Sequence, residues 1–238
     1  MQTATHTFTP IQGFESTDYA YFEGRIVWVG DDAAVRHPRN YWQPWQPPAK
    51  IYSAALLQAG ARLCVQQMER ASEPKGLLAW LTNRELVFPL NHAKDRFDAV
   101  RDALQAKQIK AFENAALRVL GLGNGLTPSG DDFLGGILFA LHHGGGMTCK
   151  AGGWGLASLS ALQAPIHLAS RASTNPISAA LLADSMAGKS YGELHDMLDA
   201  LESNDSRFIE SAVNALLGVG SSSGADLLAG LLLALTMI

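Results

Sequence analysis

The stretch Gly121–Leu141, GLGNGLTPSGDDFLGGILFAL, decides how the chain is read. It begins as a glycine-rich loop and ends as an apolar helix, with Asp131 and Asp132 where the two meet. Thr127-Pro128 is a helix start, a hydroxyl cap followed by a proline preset for the first turn. Phe133, Leu134, Ile137, Leu138 and Leu141 then form one apolar stripe at helical spacing, a core face. Gly136 flanks that stripe at a cost of about 1 kcal/mol in helix propensity against alanine. Close approach of another helix is the simplest compensation for it.

The other helix is in the sequence. Gly218–Leu235, GVGSSSGADLLAGLLLAL, has the same plan once Asn124-Gly125-Leu126 are left out of the first stretch. Ser129 then falls on Ser223, Gly130 on Gly224, Asp132 on Asp226, Gly136 on Gly230, and Ala140-Leu141 on Ala234-Leu235. Each copy follows a helical pattern that ends at its first glycine. The unit is helix, Gly-x-Gly loop, Ser-Gly-x-Asp, apolar helix, and it occurs twice.

Glycines and hydroxyls ahead of a helix expose backbone N–H groups and the positive end of the helix dipole, a setting that holds phosphate or carboxylate. The plain structural reading is that the glycines end one helix, Thr or Ser starts the next, and the aspartate complements the dipole. Two copies facing one cleft favour a site. Its candidate anion-binding residues are Gly123, Asn124, Gly125, Thr127, Ser129, Gly130, Asp131, Ser222, Ser223 and Gly224. Asp132 and Asp226 are the candidate catalytic pair, because Asp131 is matched by Ala225. The carboxylates could also hold Mg²⁺, which takes carboxylate oxygens and water. Arg171, Ser173 and Thr174 lie in RASTNPIS, read as the approach to a further helix start, where arginine can grip an anion in bidentate fashion.

Outward from the motifs, the chain changes character. After His92 the pattern is helical, in DRFDAVRDALQAK, KAFENAALRVLG, YGELHDMLDALES and SRFIESAVNALLG, the last with Ser206 as its expected cap. NPISAALLADSMAG is punctuated by Asn175 as cap, Pro176 at the first helical position and Gly188 as the stop. Before Pro89 short strands are expected: a hairpin in AYFEGRIVWVG around Glu23-Gly24, then ARLCVQQ, then LLAWLTNRELVFPL turning near Asn83-Arg84. HPRNYWQPWQPPAK between them reads as an ordered loop pinned by Trp42 and Trp45. The fold class is therefore α+β, with a β-rich part over residues 1–90 and an all-helical part over 91–238 that carries both motifs.

Composition narrows the functional classes. A formal net charge of −4 and the lack of any Lys/Arg run argue against nucleic-acid binding. The most apolar stretch, near the C-terminus, falls short of the ~20 residues a membrane span needs. Cys64 and Cys149 stand far apart outside any CxxC, and no secretory signal pattern opens the chain, so a cytoplasmic protein is expected. His142-His143 before Gly144-Gly145-Gly146 suit the end of a helix, and His167 and His195 fall in helical patterns. No GxSxG, GxxxxGK[ST] or HExxH motif is present.

At GLGNGLTPSGDDFLGGILFAL the chain resembles a bacterial family typified by the AllH-type component of oxamate carbamoyltransferase, and GVGSSSGADLLAGLLLAL resembles that family's later Ser-Ser-Gly-x-Asp segment. STNPISAALLADSMAG is similar to its Thr/Ser-rich helix start. The resemblance implies a part in allantoin breakdown, where oxalurate and phosphate interconvert with oxamate and carbamoyl phosphate, together with unlike partner subunits. The ligands it implies are small anions or carbamoyl compounds. Asn124 and Ser221 depart from the proline and histidine expected there. Two other readings stand beside it: a non-catalytic scaffold subunit, and a stand-alone Mg²⁺-dependent phosphate-transfer or hydrolysis enzyme using Asp131, Asp132 and Asp226.

Overall fold

The computed structural model describes residues 7–30, 35–70, 74–144 and 154–237. Three short antiparallel strands come first: β1 (Thr9–Pro10), β2 (Tyr19–Phe22) and β3 (Arg25–Trp28), in that spatial order. The β2–β3 turn is Glu23-Gly24, both with positive φ, so the expected hairpin is there. Residues 35–53 then run without regular structure to α1 (Ala54–Arg70) and α2 (Leu77–Leu81). Helices α3 (Lys94–Gln105), α4 (Ile109–Val119), α5 (Ser129–Gly144), α6 (Leu156–Ser173), α7 (Pro176–Met186), α8 (Gly192–Ser203), α9 (Ser206–Leu217) and α10 (Ser223–Met237) follow.

The layout is α+β, but strand structure ends at Trp28 among the described residues, far short of Pro89. ARLCVQQ lies inside α1, where Leu57, Ala61 and Cys64 are buried along one helical face. The strand reading failed because the window around Cys64 was too short to show the period that begins at Leu57. LLAWL is the helix α2, and Val87 and Phe88 are three-quarters exposed rather than paired. A five-residue apolar run does not separate a strand from a buried helix turn.

Punctuation inside the helical part is mostly as expected. The Asn175 side chain accepts the Ser178 N–H at 3.0 Å, with Pro176 at the first position of α7. At α9 the cap is Asp205, which accepts from Arg207 and Phe208, and not Ser206. Arg171 and Ser173 belong to the last turn of α6 rather than to the start of α7. His142 and His143 do close α5, yet burial holds the His143 imidazole down at about 4. It is neutral and bonded to the Gly188 carbonyl at 3.0 Å, so it offers the helix dipole no charge. Gly145, Gly146 and Cys149 lie outside the described residues.

Helices α5 and α10 are buried nearly all round and pack against each other at the centre of the core. Helix α1, α2 and Trp80 join the same core, together with α3, α4, α8 and α9. The crossing is set by glycine. A methyl at Gly136 would run into the Leu227 carbonyl oxygen, and one at Gly230 into the Phe133 carbonyl oxygen. Backbone atoms cannot yield as side-chain ends do. Gly136→Ala and Gly230→Ala should therefore each destabilise by about 2–3 kcal/mol or more in urea unfolding, despite the better helix propensity of alanine. Gly135→Ala is the control. The nearest atoms to its added carbon would be the Ser185 Oγ at 3.2 Å and a Leu227 methyl at 3.4 Å, both on side chains, and it should cost far less.

Candidate functional site

The glycine contact brings the first turns of α5 and α10 side by side, with Thr127 Oγ1 and Ser223 Oγ 2.8 Å apart. Three aspartates sit in these turns, and the structure treats each differently. Asp131 is a tie. Its Oδ1 accepts the Gly121 N–H at 2.7 Å, and its Oδ2 accepts the hydroxyls of Ser178, at 2.7 Å, and Thr174. It thereby joins the loop after α4 to the α6–α7 corner.

Asp226 is also a tie on one side. Its Oδ1 accepts the Leu77 N–H at 2.7 Å, and Gly76, at φ 52°, presses against that oxygen, where a Cβ would collide. Asp132 has no such plug. Its neighbours are the Ser223 and Thr127 hydroxyls, and the pattern is crossed, because the Ser129 hydroxyl faces Asp226. Both carboxyl groups keep a buried Oδ2 without a hydrogen-bond partner.

Burial governs their acidity. It pushes Asp132 well above the usual carboxylate range, with the Asp226 and Asp131 charges adding to the rise against the Ser223 and Thr127 hydroxyls. Burial lifts Asp226 to about 6 against the Leu77 N–H and the Ser129 and Ser222 hydroxyls. Among the described residues no three His, Cys, Asp or Glu side chains form a group that could hold a metal. Asp131, Asp132 and Asp226 have separate partners and do not fit a shared Mg²⁺.

Asp132 faces a cavity of about 10 Å³, lined also by Gly135, Ser178, Ser185, Ser190 and Leu227. That is room for about one water. His37 and Tyr191 form part of its wall, and the same two residues line a cleft of about 410 Å³ outside it, with Tyr19, Trp28, Val35, Glu193 and Gly218–Gly220. The second glycine loop thus borders the cleft, while Asp132 lies beneath its floor.

The irregular segment after β3 positions His37. Arg39 grips Asp184 on α7 with Nε–Oδ2 at 2.5 Å and Nη2–Oδ1 at 2.9 Å, and also donates to the Ile26 and Ala180 carbonyls. Arg36 reaches Asp196 and Glu193 on α8, and its carbonyl accepts the Gly192 N–H at 2.6 Å. Between them the His37 Nδ1 accepts the Arg39 N–H at 3.0 Å, which leaves its proton on Nε2. Burial first, then the Arg39 and His195 charges, drop His37 to about 3, so the ring stays neutral. Tyr191, just ahead of α8, stacks 4.7 Å from it, and the Tyr19 and Tyr191 hydroxyls stand 3.5 Å apart. Burial raises both phenols, which remain O–H donors.

The other candidates divide. The Gly130 and Gly224 amides are committed to the Leu122 and Val219 carbonyls at 2.8 and 3.0 Å, so neither is free for an anion. Asn124 and Gly125 are exposed and Gly123 is half-buried. The Ser222 carbonyl accepts the Asp226 N–H at 2.9 Å. Arg171 and Ser173 are exposed, and the Ser173 carbonyl packs on Gly121. Sequence reasoning missed Tyr19, His37 and Tyr191. Only their meeting in space marks them, apart from a histidine standing in a loop that proline makes rigid.

The fold and site define a largely helical protein in which two buried Ser-Gly-x-Asp helix starts meet beside a phenol- and imidazole-lined cleft. Over residues 119–235 the chain matches the family described as oxamate carbamoyltransferase subunit AllH, the family that its two Ser-Gly-x-Asp segments resemble. No curated protein and no solved structure matches the chain.

The buried carboxyl of Asp226 makes stability depend on pH with a definite sign. Folded, it binds its proton more tightly than unfolded, where the value is 3.8. Its contribution is therefore present below about 4 and lost as pH rises through about 6. Asp226→Asn keeps an acceptor for Leu77 and removes the charge. Between pH 4 and 7.5 the variant should gain about 2 kcal/mol on the wild type in urea unfolding. His37, His143 and His195, all lowered, act in the opposite direction in both proteins and cancel in the difference.

Proposed function

We propose that this chain is the component of a carbamoyltransferase that binds the small anionic or carbamoyl-bearing substrate, in the cytoplasm and in company with other subunits of the enzyme. The reaction class is oxalurate plus phosphate to oxamate plus carbamoyl phosphate, in purine (allantoin) breakdown. The observation that carries the reading is Asp132: a buried carboxyl with an unpartnered oxygen facing a cavity, next to a cleft bordered by the second glycine loop. The family supports the carbamoyl class of ligand.

In this reading the two Ser-Gly-x-Asp segments are copies of one unit whose sites have diverged. Asp226 orders α2 through Leu77, and Asp132 is left to meet ligand. Asp132 accepts the carbamoyl NH₂, and fixed donors around the cleft stabilise charge on oxygen without a covalent nucleophile. Asp131 and Thr174 hold the site's shape. The Gly123–Gly125 loop, exposed at Asn124 and Gly125, and the exposed Arg171 and Ser173 at the end of α6 form the second place where an anion or a partner subunit would contact the chain. No separate metal step is needed.

Thermal unfolding tests this with phosphate, carbamoyl phosphate, oxamate and oxalurate, each with and without Mg²⁺. A ligand at 100 times its dissociation constant stabilises by about 2.7 kcal/mol, several degrees in midpoint. At least one of the four should shift the wild type, and Asp132→Asn should reduce or abolish that shift while still unfolding cooperatively. A full panel without a shift would sink the binding reading and leave the scaffold role.

A further inference from the structure

Among the described residues the cleft is lined by groups able to donate hydrogen bonds, with no available cation. Glu193 is the charged side chain in its described lining, and it is already paired with Arg36, which also holds Asp196. His37 is neutral and presents N–H at Nε2, and Tyr19 and Tyr191 present hydroxyls. Below them is one acceptor, the unpartnered Oδ2 of Asp132, more than nine-tenths buried. At the helix starts the Gly130, Asp131, Asp132, Gly224 and Asp226 amides, which could help neutralise a phosphate, are bonded to backbone carbonyls. A dianion placed here would meet carboxyl groups and no positive charge, a poor exchange for its hydration.

A primary carboxamide end, H₂N–C=O, has the complementary pattern. Its nitrogen donates, its oxygen accepts, and it carries no charge. The cavity beside Asp132 has room for one water, which is also the size of one amide nitrogen. We propose that Tyr19, His37 and Tyr191 form, with Asp132, a carboxamide-reading pocket. The NH₂ of the ligand donates to Asp132 Oδ2, and its carbonyl oxygen accepts from His37 Nε2–H and a tyrosine hydroxyl. This rests on the binding reading above and deepens it, because three of the four residues come from outside either Ser-Gly-x-Asp segment and two of them precede the stretch that matches the family. The N-terminal sheet and the segment behind it therefore set which end of the substrate is read.

Oxamate and oxalate provide the test, since they differ by an NH₂ in place of a carboxylate oxygen. Binding of each, and of inorganic phosphate, is measured by calorimetric titration at pH 7 on wild type, Tyr191→Phe, Tyr19→Phe, His37→Gln and His37→Phe, with unfolding midpoints as a check on folding. Oxamate should bind more tightly than oxalate and phosphate. Each Tyr→Phe variant should weaken oxamate about three- to tenfold, the size of one neutral hydrogen bond, and should leave phosphate unchanged. His37→Gln, which keeps an N–H donor, should retain more oxamate affinity than His37→Phe. Oxalate or phosphate binding as tightly as oxamate, or oxamate indifferent to both Tyr→Phe changes in folded protein, would overturn the pocket while leaving a small-anion site elsewhere on the chain. Silence from oxamate, oxalurate and carbamoyl phosphate alike would overturn the pocket and the binding reading together.

Discussion

The backbone contact between α5 and α10 at Gly136 and Gly230 is the constraint from which the rest follows. Helices that cross through side chains stand 8–10 Å apart. Here each glycine lies against a carbonyl of the other helix, so the two first turns come close enough for Thr127 and Ser223 to share a hydrogen bond. That closeness buries Asp132 and Asp226 and removes the water that would otherwise keep them ionised. The loop glycines work at the same seam. Gly130 packs on the Val119 carbonyl and Gly224 on the Leu216 carbonyl, drawing the preceding helices α4 and α9 onto the starts of α5 and α10.

The two helix starts share a plan but not their surroundings, and the difference assigns their tasks. Asp226 meets Gly76 and Leu77 of α2, which fill the space in front of it. Asp132 meets a cavity. Asp131 knits its own half to α6 and α7 through three donors, and Ala225 in the other half can do nothing of the kind. Both carboxyls keep a buried oxygen without a partner, so the space in front of each decides. Gly76 and Leu77 fill it at Asp226, whereas Asp132 lines a cavity, a place where something else is expected to donate.

Much of this could be read from the chain, and the remainder could not for identifiable reasons. Gly136 and Gly230 announced close helix contact because glycine in an apolar helix lowers its stability unless a neighbour needs the space. Asn175-Pro176 and Glu23-Gly24 worked because caps and hairpin turns depend on residues a few positions apart. The strands expected at Cys64 and Leu77 were wrong because both stretches are short and apolar, and their period shows only against Leu57 or against the core they fill. The free amides expected at Gly130 and Gly224 were wrong for a subtler reason. Glycine does permit close backbone approach, but here what approaches is the chain's own carbonyls. Tyr19, His37 and Tyr191 carry no local pattern. They are separated in sequence and joined only by the fold.

The way the N-terminal segment is fastened argues that its residues are part of the site and not a cover laid over it. Trp45, edge-on to His195, gives this segment an apolar anchor, which is all that a loop shielding the core would need. It is also held by a bidentate, largely buried Arg39–Asp184 pair with two further carbonyl contacts, one on β3 and one on α7. Such a geometry fixes orientation as well as proximity. The exposed Arg36 and Lys50 pairs add little stability by comparison. What the Arg39 clamp orients is the backbone N–H that His37 Nδ1 accepts, and hence the direction in which the ring presents its remaining proton. A chain that only had to bury α7 would not need that proton directed. A chain that reads a carbonyl oxygen above Asp132 would.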